Sequence, residues 1–522
     1  MTLSDNELRL EAQNDKNLLM FFQDCYQVLV SRWWNVSTAK QINDPKAVFY
    51  NRSTGDFELR PKRSPTPVPA LFVKPKSWRL PDSDSAVDYQ DLPKDTQKRL
   101  DDFLKDNSVE LWSTSRKLLY KAPVCHKELQ FLPPEKAKKS ICSICGSLSS
   151  SCVEVSQPTY LLFASNSATK SFNSEARQPD KVCWQCEMLG RFAIETVSYH
   201  QRSDDLFILQ INSPHLTKAL NVNHKIGYGS LLREIKWDDF RSNIRYDGSL
   251  IKFARLPYEF LWAFFVQAYD IVKENSNIEM NIDTCAFLEE LMQITLDQAP
   301  VEITLFMING KGQTFITKEL IHYNEPSYAF RLLFQIEEMG ISAKSLFNQL
   351  WVKDEKDHYS LFRNEFFYKV LSRKSIVKEL EVFAFHQTMG DHRIYLGDLL
   401  QFVMHYEVWI RGIEMTEQQI EVAVNLGKST VLQAREKIEK FEEFKKIKGD
   451  LFALRKTRTK EAFLNQLVTF QMRYGLIVSN ALQEGVLDGV SFEEFKAYCM
   501  LGALNTYNGI TRAKKGEGKK DD

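Results

Sequence analysis

The sequence predicts an α+β protein of several domains, in which a mixed α/β N-terminal part carries a four-cysteine insertion and a C-terminal part forms an all-α helical bundle. Three observations predict this class. The chain has 522 residues, which is enough for three or four domains of ordinary size. Two Cys-x-x-Cys pairs lie in its first half, within "SICSICGS" and "KVCWQCEM". From about residue 358 onward there is no proline, and apolar residues recur at helical spacing.

Residues 1–120 are expected to form an N-terminal helical region that contains a basic arm. The helical pattern runs through "NLLMFFQDCYQVLV", and the arm occupies residues 60–80. Between Arg60 and Arg79 there are six basic residues and no acidic one, and the prolines favour an extended backbone. The arm is either a connector between domains or a segment that lies along a phosphate backbone or a partner.

Residues 121–357 are expected to form a mixed α/β region around the cysteines. Strand-like runs occur at "TYLLFA", residues 159–164, and at "DLFILQI", residues 205–211. Residues 358–510 are expected to form the helical bundle, and residues 511–522 a disordered tail.

Composition limits the classes of protein to which this chain can belong. Sixty-eight Lys and Arg balance sixty-eight Asp and Glu, so any attraction to nucleic acid must come from local clusters. The polar N-terminus has no apolar signal region, and the most apolar run, Phe260 to Tyr269, is too short to span a bilayer and predicts a buried helix. We therefore expect a cytoplasmic protein with no membrane contact. Nine cysteines in a reducing compartment favour metal binding over disulfides.

The paired cysteines predict a structural Zn²⁺ site. A Cys-x-x-Cys turn offers two thiolates on one knuckle, and two knuckles supply the four soft ligands of a tetrahedral site. The 37 residues between the knuckles exceed the usual spacing of a zinc ribbon, which predicts an insertion between the two halves. Cys152 or the Cys125-His126 doublet could replace one ligand. Because four cysteines leave no open position, the metal is expected to stabilise the fold rather than to activate water. The predicted ligands are Cys142, Cys145, Cys183 and Cys186.

Motifs typical of enzymes are incomplete. His405-Tyr406-Glu407 has the H-x-E spacing of zinc deaminases. In those enzymes the triplet precedes a Pro-Cys-x-x-Cys, whereas here it follows both Cys-x-x-Cys pairs, and neither pair has the proline. "NLGKST", which contains Gly427 to Thr430, has no first glycine of a phosphate loop, and "LDGVSFEEF" has Phe495 where a calcium loop needs Glu. No catalytic residue is predicted.

Two segments are candidates for nucleic-acid binding. "RKTRTK", residues 455–460, is expected to present a cationic helix edge to phosphates, with a solvated helix face as the alternative. "NVNHKIGYGS", residues 221–230, is expected to be a polar loop after a strand that meets base edges, with an ordinary hairpin loop as the alternative. The candidate DNA contacts are Arg455, Lys456, Arg458 and Lys460 in the first segment and Asn221, Asn223 and Lys225 in the second.

Taken together, the knuckles, the missing catalytic motifs and "LFALRKTRTKEAFLNQLVTFQMRYGLIVSNAL", residues 451–482, resemble the large subunit of type I CRISPR Cascade effector complexes, especially type I-B. The resemblance implies a non-enzymatic subunit of an RNA-guided antiviral complex. Such a subunit binds the 5′ end of the guide RNA, reads the protospacer-adjacent motif on duplex DNA, opens the first base pairs and licenses a helicase-nuclease.

The resemblance also implies a set of partners and further contacts. They are the guide CRISPR RNA, the target duplex with its displaced single strand, the Cascade backbone and 5′-handle-binding subunits, a small subunit and the recruited helicase-nuclease. Lys62 and Arg63 of the basic arm become candidate RNA contacts. The C-terminal bundle resembles the Cascade small subunit, which can also be made separately by internal initiation. Possible starts are Met389, Met404 and Met415.

The residues are also compatible with two other functions. One is a zinc-stabilised nucleic-acid enzyme whose catalytic residues do not form a recognisable motif. The other is a structural adaptor that contacts only proteins.

Overall fold

The structure is a computed structural model of the 522-residue chain. It describes residues 2–33, 48–51, 56–59, 93–107, 110–114, 117–121, 139–154, 181–202, 204–223, 242–244, 250–275, 300–311, 314–350, 359–390, 396–411, 415–478, 482 and 489–517. The basic arm with Lys62 and Arg63, the Cys125-His126 doublet, the strand predicted at 159–164 and Lys225 lie outside these residues.

The chain is an α+β protein with a helical C-terminal region, as predicted. It divides into two compact units, which we call the sheet unit and the helical unit. The sheet unit comprises Met1–Ser249 and Ile271–Ser327, and the helical unit comprises Leu250–Asp270 and Tyr328–Asp522. The second segment of the helical unit begins at Tyr328, about 30 residues before the boundary predicted for the helical bundle at residues 357/358.

The strands of the described chain form one four-stranded sheet and five two-stranded sheets. All the strand pairs are antiparallel. The strands are β1 Thr2–Leu3, β2 Leu8–Arg9, β3 Val48–Asn51, β4 Asp56–Leu59, β5 Glu110–Thr114, β6 Lys117–Lys121, β7 Ser140–Ile141, β8 Leu148–Ser149, β9 Val153–Glu154, β10 Lys181–Val182, β11 Ser198–Arg202, β12 Asp205–Asn212, β13 Glu302–Lys311 and β14 Thr314–Tyr323.

The four-stranded sheet has the order β11-β12-β13-β14 and is the core of the sheet unit. Its strand β12 coincides with the run predicted at residues 205–211, which confirms that prediction. Leu206, Phe207, Ile208 and Leu209 are all buried, so both faces of this strand are covered. Such a continuous apolar run is typical of a strand buried on two sides.

The helices are α1 Asp15–Trp33, α2 Lys94–Asp106, α3 Trp184–Phe192, α4 Leu216–Val222, α5 Pro257–Asn275, α6 Pro326–Glu338, α7 Ala343–Gln349, α8 Tyr359–Leu371, α9 Val377–Met389, α10 Gly397–Arg411, α11 Glu417–Lys437, α12 Phe441–Phe444, α13 Ile447–Lys456, α14 Lys460–Tyr474 and α15 Phe492–Glu517. Helix α1 confirms the helical pattern predicted near the N-terminus. The region up to residue 120 is not only helical, however, because hairpins β3-β4 and β5-β6 also lie in it.

The apolar run Phe260 to Tyr269 lies inside α5 and is buried, as predicted. Its start is fixed by an ion pair that is itself buried: Glu259 accepts the backbone N–H of Arg255 and binds Arg363 of α8 at 2.6 Å. No helix among the described residues is long and apolar enough to cross a membrane.

Helix α15 is the central element of the C-terminal bundle and packs against α11 and α9. It continues to Glu517, so the prediction of a disordered tail from residue 511 is wrong for residues 511–517. The helix crosses α11 at Gly427 and Gly502, where the two backbones are in direct contact.

Candidate metal centre and nucleic-acid contacts

The four predicted cysteine ligands come from two different local structures. The first knuckle is the turn of the β7-β8 hairpin, in which the Cys142 N–H donates to the Ser147 carbonyl at 2.9 Å. This turn needs a left-handed residue, and Gly146 supplies it with a φ of 72°. In the second knuckle, Cys183 is the N-cap of α3 and Cys186 lies in its first turn.

The structure brings the four sulfurs together. All four Sγ atoms lie within 4.8 Å of one another, and the Sγ atoms of Cys145 and Cys183 are 3.7 Å apart. In a tetrahedral site with zinc–sulfur bonds of about 2.3 Å, two sulfurs are separated by about 3.8 Å. A disulfide would instead need about 2.05 Å, and these cysteines are free thiols. The donor set therefore fits a thiolate-bound metal ion, which confirms that these four cysteines can hold one.

The electrostatics of the cluster favour thiolates at the first knuckle. Burial disfavours the charged form of Cys142, but backbone N–H groups from three neighbouring residues outweigh it and lower the pKa of this thiol to about 6. The Ser147 hydroxyl and N–H lower the pKa of Cys145. Burial raises the pKa of Cys183 and of Cys186. The surroundings thus favour the thiolate form of Cys142 and Cys145, while burial disfavours the thiolate form of Cys183 and Cys186.

Polar contacts tie the two knuckles to each other. The backbone N–H and the hydroxyl of Ser143 both donate to the Lys181 carbonyl, at 2.8 and 2.7 Å. In return, the Lys181 ammonium donates to the Ser140 hydroxyl at 3.2 Å. Sequence reasoning missed these supporting residues. Their only signal is adjacency, because each lies within two residues of a ligand.

Cys152, which could have replaced a ligand, has a different role. It is buried beside the cluster, and its Sγ lies 3.4 Å from the Ser140 carbonyl oxygen. Burial raises the pKa of the Cys152 thiol. Among the residues that the structure describes, the metal-ligand group contains the four predicted cysteines without Cys152.

The predicted reading loop begins as a helix, which corrects the interpretation of residues 221–223 as loop. Asn221 is exposed in the last turn of α4, and Asn223 is the residue that ends this helix. The Asn223 amide nitrogen donates to the carbonyls of Ala219 and Ile211, at 2.7 and 3.3 Å. Its donor is therefore used to cap the helix, whereas Asn221 keeps an exposed side chain.

The predicted cationic helix edge is also corrected, because residues 455–460 do not lie on one helix. Helix α13 ends at Lys456, and α14 begins at Lys460 with Thr459 as its N-cap. Side chains at 455 and 458 are thus not one helical turn apart, and the six residues form a helix end, a connection and a helix start.

Arg455 is committed to the fold. Its guanidinium forms a bidentate pair with Glu381, at 2.7 and 3.3 Å, and its central carbon lies 4.3 Å from the centre of the Phe385 ring. Lys456 lies 4.2 Å from the Phe452 ring but is exposed, as is Arg458, and Lys460 is half-buried. Lys456 and Arg458 are therefore accessible to a ligand, and Lys460 is partly accessible.

The motifs that were set aside have structural roles. Glu407 of the H-x-E triplet is 7% exposed, and it accepts hydrogen bonds from the backbone N–H of Ile376 at 2.6 Å and of Val377 at 3.3 Å. It therefore caps the N-terminus of α9. "NLGKST" lies in the middle of α11, where Gly427 meets α15.

No protein-family model matches the chain, and a search of curated proteins finds no match either.

Proposed function

We propose that this chain is the non-catalytic large subunit of an RNA-guided complex of the Cascade kind, and that Cys142, Cys145, Cys183 and Cys186 bind one structural Zn²⁺. The observation that carries the zinc part of the proposal is the convergence of four sulfurs, from knuckles 37 residues apart in sequence, to within 4.8 Å of one another. The role in the complex rests on the resemblance of residues 451–482. Zinc is the common metal for four thiolates at this spacing.

The zinc would act as a scaffold. It would join the β7-β8 hairpin to the start of α3, so that two short elements with little apolar core of their own hold one geometry. A rigid module of this kind is what contact with nucleic acid needs, since base edges are discriminated only by groups held in place. A cytoplasmic location would keep the thiols reduced.

The proposed partners are those that the resemblance implies: the guide CRISPR RNA, the target duplex and its displaced strand, the backbone and 5′-handle-binding subunits, the small subunit and a helicase-nuclease. Lys456, Arg458 and Lys460 are the proposed phosphate contacts of residues 455–460, and the contact with Glu381 removes Arg455 from this group. Asn221 and Lys225 remain the proposed duplex-reading residues, and Lys62 and Arg63 the proposed RNA contacts.

The test is purification of the chain from cells that also express its neighbouring genes and a repeat array. We expect guide RNAs with a repeat-derived 5′ handle to copurify with it, and the complex to shift a target duplex only when the correct adjacent motif is present. Turnover of nucleic acid by the chain alone would instead favour the enzyme. Association with proteins but with no nucleic acid at low salt would favour the adaptor.

A further inference from the structure

The connection between α8 and α9 presents two adjacent cations on the surface of the helical unit. Arg373 and Lys374 are both exposed there, in the sequence Ser372-Arg373-Lys374-Ser375. These residues are not part of the basic segment at 455–460, and no role described above uses them.

The backbone of this connection is held firmly. The N–H of Lys374 donates to the Lys369 carbonyl at 2.8 Å, and the N–H of Arg373 donates to the Val370 carbonyl at 3.2 Å, which is the bonding pattern of a Schellman helix end. The Tyr406 hydroxyl then donates to the Lys374 carbonyl at 2.9 Å. The connection is thus fixed at both its start and its middle.

Arg373 occupies the position of this motif at which glycine is favoured. Its φ is 54°, in the left-handed region that side chains with a Cβ atom rarely adopt. The same pattern ends α6, where Gly340 takes the corresponding place with a φ of 70° and donates to the Glu337 carbonyl. An arginine at such a position keeps a long cation on the surface against the local backbone preference, which is a feature of functional sites.

Aromatic rings adjoin both cations. The Arg373 guanidinium lies 4.4 Å from the centre of the Tyr328 ring, and Tyr328 is nearly parallel to Trp409, with ring centres 6.5 Å apart. Trp409 is 44% exposed, so part of its indole is accessible to a ligand. The Lys374 ammonium donates to the Tyr368 hydroxyl at 2.6 Å. Tyr328 therefore links the exposed indole to Arg373, whose chain neighbour Lys374 contacts Tyr368.

Two carboxylates, Glu379 on α9 and Glu407 on α10, have identified partners in the helical unit. Glu379 pairs with Lys369 at 2.5 Å, and Glu407 accepts the N–H groups at the start of α9. Neither is an ion-pair partner of Lys374 among the contacts that the structure describes. The connection thus presents two exposed cations, and Tyr328 lies between one of them and an exposed tryptophan.

We infer that Arg373, Lys374 and Trp409 form a binding site for a single-stranded nucleic acid. Stacking on an exposed aromatic ring together with phosphate contacts from adjacent cations is how proteins bind single strands without reading their sequence. In this site a base stacks on Trp409, and neighbouring phosphates contact Arg373 and Lys374. The site would suit the displaced strand of the proposed complex, but the inference needs only the helical unit and does not rest on that proposal.

The experiment uses the full chain with its metal and no guide RNA or partner. Fluorescence anisotropy measures the binding of labelled oligo-dT and oligo-rU of about 20 nucleotides, enough to cover one such site. We expect Trp409→Ala to weaken binding about tenfold or more with an unchanged salt slope, and Trp409→Phe to lie between it and the wild type. Comparison of the two oligonucleotides distinguishes DNA from RNA as the bound strand.

The cations give a separate readout. Arg373→Gly combined with Lys374→Gln should reduce the slope of log Kd against log salt by about 1.4, or about 0.7 per lost phosphate contact. Glycine tolerates the left-handed backbone, so this variant should retain the thermal midpoint of the wild type.

Lys445→Gln with Lys446→Gln is the control for the loss of two adjacent positive charges elsewhere on the helical unit; there Lys445 lies beside the Phe441 ring and pairs with Glu442 at 2.7 Å. Unchanged affinity in both the Trp409 and the Arg373/Lys374 variants would overturn the inference, and so would an equal loss in the control. Copurification of guide RNA is measured separately, so either proposal can fail without the other.

Discussion

Replacement of Gly502 by alanine should selectively destabilise the helical unit. At the crossing of α11 and α15, a Cβ on Gly502 would lie 2.2 Å from the Val424 carbonyl oxygen, and a Cβ on Gly427 would lie 1.8 Å from the Cys499 carbonyl oxygen. Real Cβ atoms essentially never approach other atoms closer than 3.0 Å. The two helices would therefore have to separate by about 0.8 Å for Gly502→Ala and by about 1.2 Å for Gly427→Ala.

The loss in the free energy of unfolding depends on the buried side chains that pack beside the crossing of α11 and α15. A gap of about 0.5–1 Å already removes a quarter to a half of each dispersion contact across it. Ala423, Val431, Ala503 and Leu504 are all buried on these two helices and would lose such contacts. We expect Gly502→Ala to lower the free energy of unfolding by about 3 kcal/mol, and Gly427→Ala by more.

The same helix contains the control. Gly509 also lies in α15, but a Cβ added there would meet nothing within 4 Å. Gly509→Ala should therefore stabilise the unit by about 0.5–1 kcal/mol through helix propensity alone. The two alanine variants are chemically identical and differ only in the neighbouring backbone.

Two measurements test this prediction. Thermal unfolding should show a midpoint lower by about 6–12 °C for Gly502→Ala and slightly higher for Gly509→Ala. Labelling of Cys499 by a thiol reagent, located by mass spectrometry, reports on the crossing itself because Cys499 is fully buried on α15. Labelling should be about 100-fold faster in Gly502→Ala. Equal midpoints and equal labelling rates in the two variants would refute the close-contact argument.

Three further outcomes are expected. Cys142→Ser combined with Cys145→Ser should remove about one zinc per chain in elemental analysis, whereas Cys152→Ser should retain it; metal content unchanged in the double variant would contradict the ligand assignment. Burial lowers the pKa of His200 from 6.5 to about 4, so between these pH values the unfolded state binds more protons than the folded state. The free energy of unfolding of the sheet unit should therefore fall by up to about 3 kcal/mol as the pH falls from 6.5 to 4. His200→Asn should flatten this pH dependence, as measured by chemical denaturation. A fragment from Met415 to Asp522 should show less helical circular dichroism per residue than a fragment that begins at Tyr359, and equal, cooperative unfolding of both would show that α8, α9 and α10 are dispensable.

The cysteine cluster could be predicted from the sequence because its signal is local. Each Cys-x-x-Cys pair forms one turn, so the spacing alone places two sulfurs together, and only the approach of the two knuckles required the fold. Strand β12 and the buried helix α5 were predictable for the same reason, since their apolar runs are continuous in sequence.

The candidate nucleic-acid contacts were less predictable, because the sequence around a basic residue does not show which carboxylate it pairs with in the fold. The carboxylate that pairs with Arg455 belongs to Glu381, which lies 74 residues earlier in the chain. The role of Asn223 likewise depends on whether the backbone before it is helical, and "NVN" alone does not decide this. Gly427 shows the same limit, because a glycine in a helix has no visible partner until the second helix is known.

The family resemblance implies a separately made C-terminal product, but the packing of the bundle also involves a helix that such a product would lack. A product that begins at Met415 would keep α11 to α15 but lose α9, whose side chains complete the same core. Phe385 of α9 stacks on Phe452, and Thr388 accepts a hydrogen bond from the buried Asn508 amide at 2.8 Å.

Loss of α9 would also leave Arg455 without Glu381. Each of these losses exposes an apolar ring or leaves a polar group without its partner, and together they lower the stability of the shortened bundle. Met389 and Met404 lie at the end of α9 and within α10, so a start at either also omits most of α9. A separately made helical subunit would therefore need another protein surface in place of α9, and the full chain supplies that surface itself.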